Sequence, residues 1–440
     1  MSKGPTEGFT EGRTINLKVP FITRVEGEGA LELVTSGDHI ETLHLKIFEP
    51  PRLFERLLQG KSYTEVPDLS ARICGICPMA YQLTSILAME TLFDVEIPRP
   101  LVELRKLMNL GEWLQSHSLH IHFLAMPDFY GFDSALQMAA THGELLKRGM
   151  QIQEAGNTLM RLLGGRSVHP VGLKVGGFSQ LPSKTAWENA RRVVNDAIPA
   201  VNALLNWSAQ LTIPQHTQDF VGVCLRDEHE YAMNQGRVCS SSGLNISSER
   251  YPDSFKEHQV AHSTAFYSLL DGKDYLVGPL ARMNMNFDLL PENIQYMANE
   301  LGLSFPTQNM FTSIQARALE CVWTLYSAQQ ILQQDCPTGA ASVGYDVKAG
   351  HCTFATEAPR GLIFHRYELD NQGRVEDCTI IPPTSQNQAR IEQDLKVSVR
   401  QFGLDKPEQE IKHFCEQIIR NYDPCISCST HFLDFTHIRN

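Results

Sequence analysis

The chain has no stretch of about 18 uninterrupted apolar residues, so nothing in it reads as a membrane-spanning helix. It also has no long run of lysine and arginine, and its formal net charge is -12. A nucleic-acid partner is thereby excluded as a main role. The segment Met1 to Thr10 lacks a charged start followed by an apolar core and does not read as a secretory signal. Eleven cysteines in 440 residues are too few for a disulfide scaffold. There is no Gly-x-Gly-x-x-Gly fingerprint, so the chain brings no dinucleotide fold of its own. Internal repeats, low-complexity tracts and obvious linkers are missing as well. What is present is an ordinary globular balance, 42% apolar and 20% charged, with material for a large core.

The pattern opens as β and turns helical. Leu43, Leu45 and Ile47 alternate with His44 and Lys46, the period of a half-buried strand. Gly37-Asp38 separates that run from the apolar segment Ala30 to Val34 and reads as a hairpin connection. Met79, Leu83, Ile86 and Leu87 then follow helical spacing, with Pro78 suited to the first turn. Leu101, Leu104, Leu107, Leu110 and Leu114 continue it, and Leu145 to Leu163 reads as a helix ended by Gly164-Gly165. Residues 186 to 211, 313 to 334 and 408 to 422 read as helices, and His351 to Pro383 as strands and turns. The expectation is one compact domain over residues 1–431, mainly α with small β-sheets, a bundle of long helices with peripheral β near both termini.

Seven cysteines (224, 239, 321, 336, 352, 378 and 415) stand singly and read as buried free thiols. The other four form two pairs. One lies in Arg72-Ile73-Cys74-Gly75-Ile76-Cys77-Pro78, the other in Asp423-Pro424-Cys425-Ile426-Ser427-Cys428. A Cys-x-x-Cys turn aims two sulfurs at one ion, and thiolates select soft or borderline metals. The two pairs lie too far apart in sequence for a local zinc ribbon. No thioredoxin-like setting surrounds either pair. A long-range zinc staple, a four-cysteine iron–sulfur cluster and a catalytic metal centre remain open on spacing alone.

The flanking residues go further. Arg72-x-Cys74-Gly75-x-Cys77 and Asp423-Pro424-Cys425-x-x-Cys428-x-x-His431 resemble the two signature motifs of nickel–iron hydrogenase large subunits. Arg24-Val25-Glu26-Gly27, Gly165 to Pro170, Gly278 to Arg282 and Ala358-Pro359-Arg360-Gly361 are similar to further motifs of that family. Together they run from residue 22 to 431, and the family's multihelical fold is implied with them.

The resemblance implies a division of roles. Cys74 and Cys425 would bind nickel alone, and Cys77 and Cys428 would bridge nickel and an iron that carries carbon monoxide and cyanide. Glu26 becomes the candidate proton gate; its ordinary alternative is an ion pair with Arg24. Arg360 becomes the cation over the open metal position, against a surface arginine after a Pro turn. Asp423 would orient Arg360 or cap its own turn. Pro383 and Thr384 resemble the segment lining the iron ligands, with the Thr384 hydroxyl as a donor to cyanide. Glu55, the carbonyl of Ile380 and His431 match ligands of a structural magnesium ion, which iron can replace.

Two departures stand out, Tyr81 where many relatives have His and Gln386 where Trp is common. With the modest length they point to the cytoplasmic NAD(P)-linked or sulfhydrogenase group. The resemblance implies reversible cleavage of hydrogen, with electrons leaving through an iron–sulfur small subunit and on to flavin- and NAD(P)-binding diaphorase subunits, since this chain shows no cluster motif of its own. It implies nickel and iron insertion factors and a maturation protease that removes residues 432–440 after His431. Two rivals are a hydrogen-sensing regulatory subunit with low turnover and a metal-free structural relative; the removable tail speaks against the first, the four cysteines against the second. The histidines at 117, 120 and 122 read as ordinary core or surface residues, one of which could face a cluster in a partner.

Overall fold

The computed structural model describes residues 14–430. Thr14–Val19, Gly29–Ser36 and His39–Ile47 form an antiparallel sheet in sequence order. Gly37, at a φ of 58°, makes the tight turn between the second and third strands. Their alternation is the one visible in the sequence. Leu31, Leu33, Leu43 and Leu45 face inward and pack against Ile391, Leu395, Ile411 and Ile418, which lie on the helices Pro383–Phe402 and Glu408–Asn421.

The body of the molecule is a set of long helices, Pro78–Leu92, Arg99–Leu119, Ala135–Gly164, Lys184–Ala209 and Ser313–Gln333. The first is buried on almost every face. It lies under a second three-stranded antiparallel sheet, Gly350–Ala358, Gly361–Leu369 and Val375–Ile381. The helices Arg99–Leu119 and Ala135–Gly164 cross backbone against backbone. A Cβ on Gly156 would lie 2.5 Å from the carbonyl oxygen of Gly111, so only glycine permits the approach. Among the described residues no helix is long and apolar enough to cross a membrane.

Two features depart from the sequence expectation. The third long helix begins ten residues before Leu145, at Ala135, and bends at His142 (φ -127°, ψ 36°). Its opening turns are largely exposed and carry no apolar period, so only the Ser134 cap, accepting from Gln137 N at 3.3 Å, marks the start. Mid-chain, Val223–Arg226, Arg237–Ser240 and Asn245–Ile246 form one small sheet, and Phe255–Gln259 with Phe266–Leu270 another. Strands of two to five residues are too short to show a period. Six of the single cysteines are buried free thiols, and Cys336 is half-buried.

His117, His120 and His122 are all buried. His120 Nε2 meets the carbonyl of Arg420 at 2.7 Å, and His122 Nδ1 meets that of Ser118 at 3.0 Å. Burial, with Arg317 nearby for His120 and Arg148 for His122, pushes both down to about 3. Between that value and the ordinary histidine range the unfolded chain binds two protons that the native chain does not. Stability therefore falls as pH drops below about 6.5, by up to ~1.4 kcal/mol per pH unit for each histidine. Thermal unfolding midpoints measured between pH 7 and pH 5 should decline, and His122→Gln should flatten that slope. A midpoint indifferent to pH over this range would contradict the assignment of neutral, buried rings.

Candidate metal centre

Each cysteine pair sits where a helix begins or a turn closes. Cys74 ends the short 3-10 turn Ala71–Ile73, and Cys77 is the residue before the helix Pro78–Leu92. Cys425 and Cys428 lie at the 3-10 turn Ile426–Thr430, which follows the helix Glu408–Asn421. A parallel bridge between Glu26 and Cys425, with Ile426 N donating to Glu26 O at 3.0 Å, joins the N-terminal segment to the second turn. Arg52 straps the two turns together by donating to the carbonyls of Ile73, at 2.7 Å, and Ser427.

The four sulfurs meet. Cys74 Sγ is 2.9 Å from Cys77 Sγ and 3.5 Å from Cys425 Sγ, and Cys425 and Cys428 are in direct sulfur–sulfur contact. The sulfurs of Cys74, Cys425 and Cys428 all lie within 4.8 Å of one another. Thiolates about 2.3 Å from a shared ion stand at most ~4.6 Å apart, so the sulfurs are gathered within about the span one ion can bridge. All four residues are at most 3% exposed. Bonded to each other, two sulfurs have no charge to offer, so the ligating form is the one with free thiolates. A buried set made only of soft sulfur donors fits nickel and iron and fits poorly with hard, oxygen-seeking ions.

The electrostatics favour a thiolate at Cys74. Burial works against the Cys74 anion, but hydrogen bonds from Cys77 and the Arg360 charge outweigh it and hold Cys74 below its ordinary value. Cys77, donating to Cys74 and buried, is held well above its own.

Arg360 is 3% exposed and is no surface residue. Its Nε donates to the carbonyl of Asp423 at 2.8 Å and its Nη2 to Asp423 Oδ1 at 3.0 Å. Its Nη1 points to Cys77 Sγ at 3.9 Å. Burial opposes both charges of this pair, yet Asp423 and the sulfurs raise Arg360, and Arg360, His120 and Arg317 lower Asp423. Asp423 thus accepts two hydrogen bonds from the Arg360 guanidinium. Arg282 fixes the loop from the other side by gripping the carbonyls of Ala358 at 2.9 Å and Pro359 at 2.8 Å. It is itself held by Glu320 and Glu357, which explains why the motifs around residues 278–282 and 358–361 occur together.

Glu26 is half-buried, and its Oε2 accepts from Ser427 N at 3.2 Å. The ion pair with Arg24 is not formed: Arg24 turns instead to Asp128 and the carbonyl of Leu124. Thr384, in the first turn of Pro383–Phe402, accepts from Cys425 N at 2.9 Å, which leaves its own proton available to a further acceptor. Glu55 is buried rather than on a helix surface, and its Oε1 accepts from Ile380 N at 2.8 Å. His431 and the candidate tail 432–440 lie outside the described residues. Thr430, the last described residue, accepts from Arg52 N at 2.7 Å, three residues before Glu55. Tyr81 is fully buried one turn after Cys77, and its hydroxyl meets no partner among the described residues. Gln386 donates to Leu362 O at 2.5 Å and accepts from Tyr275.

Sequence reasoning missed two residues that shape the site. Arg52 is one. The other is Glu112, a fully buried carboxylate that accepts from Met79 N at 2.6 Å and Ala80 N at 3.0 Å and so caps the helix that follows Cys77. Burial holds its carboxyl well above the usual range. An acid inside the apolar period of Arg99–Leu119 was its only signal.

Residues 52–150 and 262–431 match the family model of nickel-dependent hydrogenases. The chain is 31% identical over 419 residues to the sulfhydrogenase 2 subunit alpha of Pyrococcus furiosus, covering 95% of this chain and 99% of that one. It is 31% identical over 422 residues to the sulfhydrogenase 1 subunit alpha of the same organism, covering 94% and 97%. Its fold is similar to that of an NAD+-reducing [NiFe]-hydrogenase in the H2-reduced state, with a TM-score of 0.84, 24% identity and coverage of 96% of this chain and all of that one.

Proposed function

Because this chain belongs to the nickel-dependent hydrogenase family, we propose that it catalyses the reversible cleavage of hydrogen, H2 to two protons and two electrons, at a nickel–iron centre held by Cys74, Cys77, Cys425 and Cys428. The observation that carries this reading is the convergence of four buried sulfurs, from opposite ends of the sequence, beside the Arg360 guanidinium. When bound, the metal pair supplies the polarisation of the H–H bond and the uptake of its electrons.

The chain's own residues do the rest. Cys74 and Cys425 would hold nickel alone, and Cys77 and Cys428 would hold both nickel and iron. A terminal thiolate accepts the first proton, and Glu26, anchored on the Ser427 amide, takes it onward. Arg360, locked by Asp423, sets a fixed positive charge over the site. Pro383 and Thr384 would line the iron, and the Thr384 hydroxyl proton would be available to a cyanide on it, beside carbon monoxide. Glu55, the Ile380 carbonyl and His431 would hold a structural magnesium ion, and residues 432–440 would be removed once the metals are in place. The relatives' names, a subunit alpha and an NAD+-reducing hydrogenase, support a multi-subunit, NAD(P)-linked assembly; for it we propose a cytoplasmic location, an iron–sulfur small subunit, flavin-bearing diaphorase subunits, and nickel and iron insertion factors.

Infrared spectroscopy with metal analysis of the purified complex tests the centre. Sharp carbon monoxide and cyanide bands together with nickel are expected; zinc without those bands would overturn the proposal. Glu26→Gln should leave the metals bound and slow hydrogen–deuterium exchange by about 10²-fold or more, the scale of a lost proton-transfer group. Exchange at the parent rate would remove Glu26 from the route.

A further inference from the structure

We propose that Cys224 and Cys239 are a reversible dithiol–disulfide pair, a site of peroxide oxidation separate from the metal centre. Both stand singly in the sequence, and the fold brings them face to face. They lie directly opposite one another in the antiparallel pair Val223–Arg226 and Arg237–Ser240.

The register sets the geometry. Ser241 N donates to Gly222 O at 2.9 Å. The amides of Val223 and Leu225 turn away from the partner strand, to Leu276 O at 2.8 Å and Glu357 Oε1 at 2.7 Å. Residues 224 and 239 therefore occupy a hydrogen-bonded position of the ladder, where opposite Cα atoms stand about 5.5 Å apart. A disulfide usually has a Cα separation of about 5.5–6 Å, and opposite side chains leave the sheet on the same face. Cys352 and Cys378 make the contrast: they share a sheet but have Tyr367 between them. Two strand spacings of about 4.8 Å put such a pair beyond the ~7 Å that a disulfide can span.

The surroundings let the sulfurs meet. The other face of the pair sends Val223, Leu225 and Val238 into the core. On the cysteine face, Cys224 Sγ touches Met285 Sδ at 3.7 Å and Asn286 Nδ2 at 3.6 Å, weak contacts for a thiol. Asn286 keeps its bond to Leu225 O at 2.8 Å when the sulfur turns away. Two residues along, the same face carries Arg226, itself paired with Asp288, opposite Arg237. Burial outweighs Arg237 and Arg226 and raises Cys239; burial and Glu357 outweigh Arg282 and hold Cys224 well above its ordinary value. Oxidation is therefore slow at neutral pH and quickens as pH rises. Cys239 is 8% exposed and Cys224 not at all, so peroxide meets Cys239 first.

The Cys239 thiolate attacks a peroxide oxygen, the O–O bond breaks, and hydroxide leaves and is protonated to water. Cys239 is then a sulfenic acid. The Cys224 sulfur attacks the Cys239 sulfur, the S–S bond forms and the S–O bond breaks. The departing hydroxide takes the Cys224 proton and leaves as water. The two thiols lose two electrons and two protons, and hydrogen peroxide takes both to give two waters. A small dithiol reverses the bond by exchange.

The test treats the metal-loaded complex with hydrogen peroxide, blocks the remaining thiols with iodoacetamide and maps tryptic peptides by mass spectrometry. Cleavage after Arg226 and Arg237 puts the two cysteines on separate peptides, so a bond between them is seen directly. A linked pair is expected, lighter than its two thiol peptides by two hydrogen atoms and lost on treatment with dithiothreitol. Its rate of formation should rise about ten-fold from pH 7 to pH 8, with the thiolate fraction. Cys239→Ser should abolish the link at unchanged metal content, and Cys224→Ala should leave Cys239 to advance to sulfinic acid. Recovery of both cysteines as alkylated thiols from the folded complex, or each joined to a different cysteine, would overturn the proposal. So would a link that forms only after heat unfolding.

Discussion

Cys425→Ala is expected to yield a folded chain that retains no nickel. The contacts that shape its turn are made by the backbone: Cys425 N to Thr384 Oγ1 at 2.9 Å, and the bridge from residue 425 to Glu26. These survive the substitution, so the loss can be assigned to the sulfur. What goes is a soft, anionic donor at the middle of the cluster, 3.5 Å from Cys74 Sγ and in contact with Cys428 Sγ. Serine should not rescue it, because a hydroxyl is a hard donor that stays protonated at neutral pH. Metal analysis of the purified variant gives the direct readout. A second is thermal: a ligand present at 100 times its dissociation constant adds about 2.7 kcal/mol of stability, so the variant should lose the rise in unfolding midpoint that metal loading gives the parent. Stoichiometric nickel in Cys425→Ala would contradict the four-sulfur centre.

Arg360→Leu is expected to reduce hydrogen-dependent dye reduction by about 10² to 10³-fold, the scale of removing one fixed charge from a preorganised site. It should also destabilise the chain. Arg360 and Asp423 are each 3% exposed. Removing one partner of such a pair leaves the other charge buried and uncompensated, at a cost of about 3–5 kcal/mol. The two effects can be separated by Arg360→Lys. Lysine keeps the charge but cannot reach the Asp423 carbonyl, its carboxylate and Cys77 Sγ together, as the guanidinium fork does. It should recover much of the stability and only part of the rate. Parent turnover in Arg360→Leu, with metals intact, would place Arg360 outside the chemistry.

How much of this was legible beforehand depended on where the information lies along the chain. The sulfurs, Arg360, Asp423 and Glu26 sit in short contiguous motifs whose resemblance to those of a known family implied their roles, spacing alone leaving several metal chemistries open, and the helices Pro78–Leu92 and Ser313–Gln333 lie where apolar spacing placed helices. Glu112 and Arg52 act on partners far away in sequence: the bond from Arg52 to Ser427 spans 375 residues. No periodicity records such a meeting. The ordinary alternatives for two residues, a helix-surface acid at Glu55 and a surface arginine after a turn at Arg360, fail because packing buries both.

The separation of 351 residues between Cys74 and Cys425 bears on biosynthesis. A ribosome adding about 5–20 residues per second needs roughly 20–70 s to reach the second pair after the first has been made. Throughout that interval the nascent chain presents one dithiol without its counterpart, open to oxidants and to stray zinc. Loading with the correct metals is thereby deferred until translation of the second pair, and a premature stop anywhere between the two leaves a polypeptide with half a receptacle.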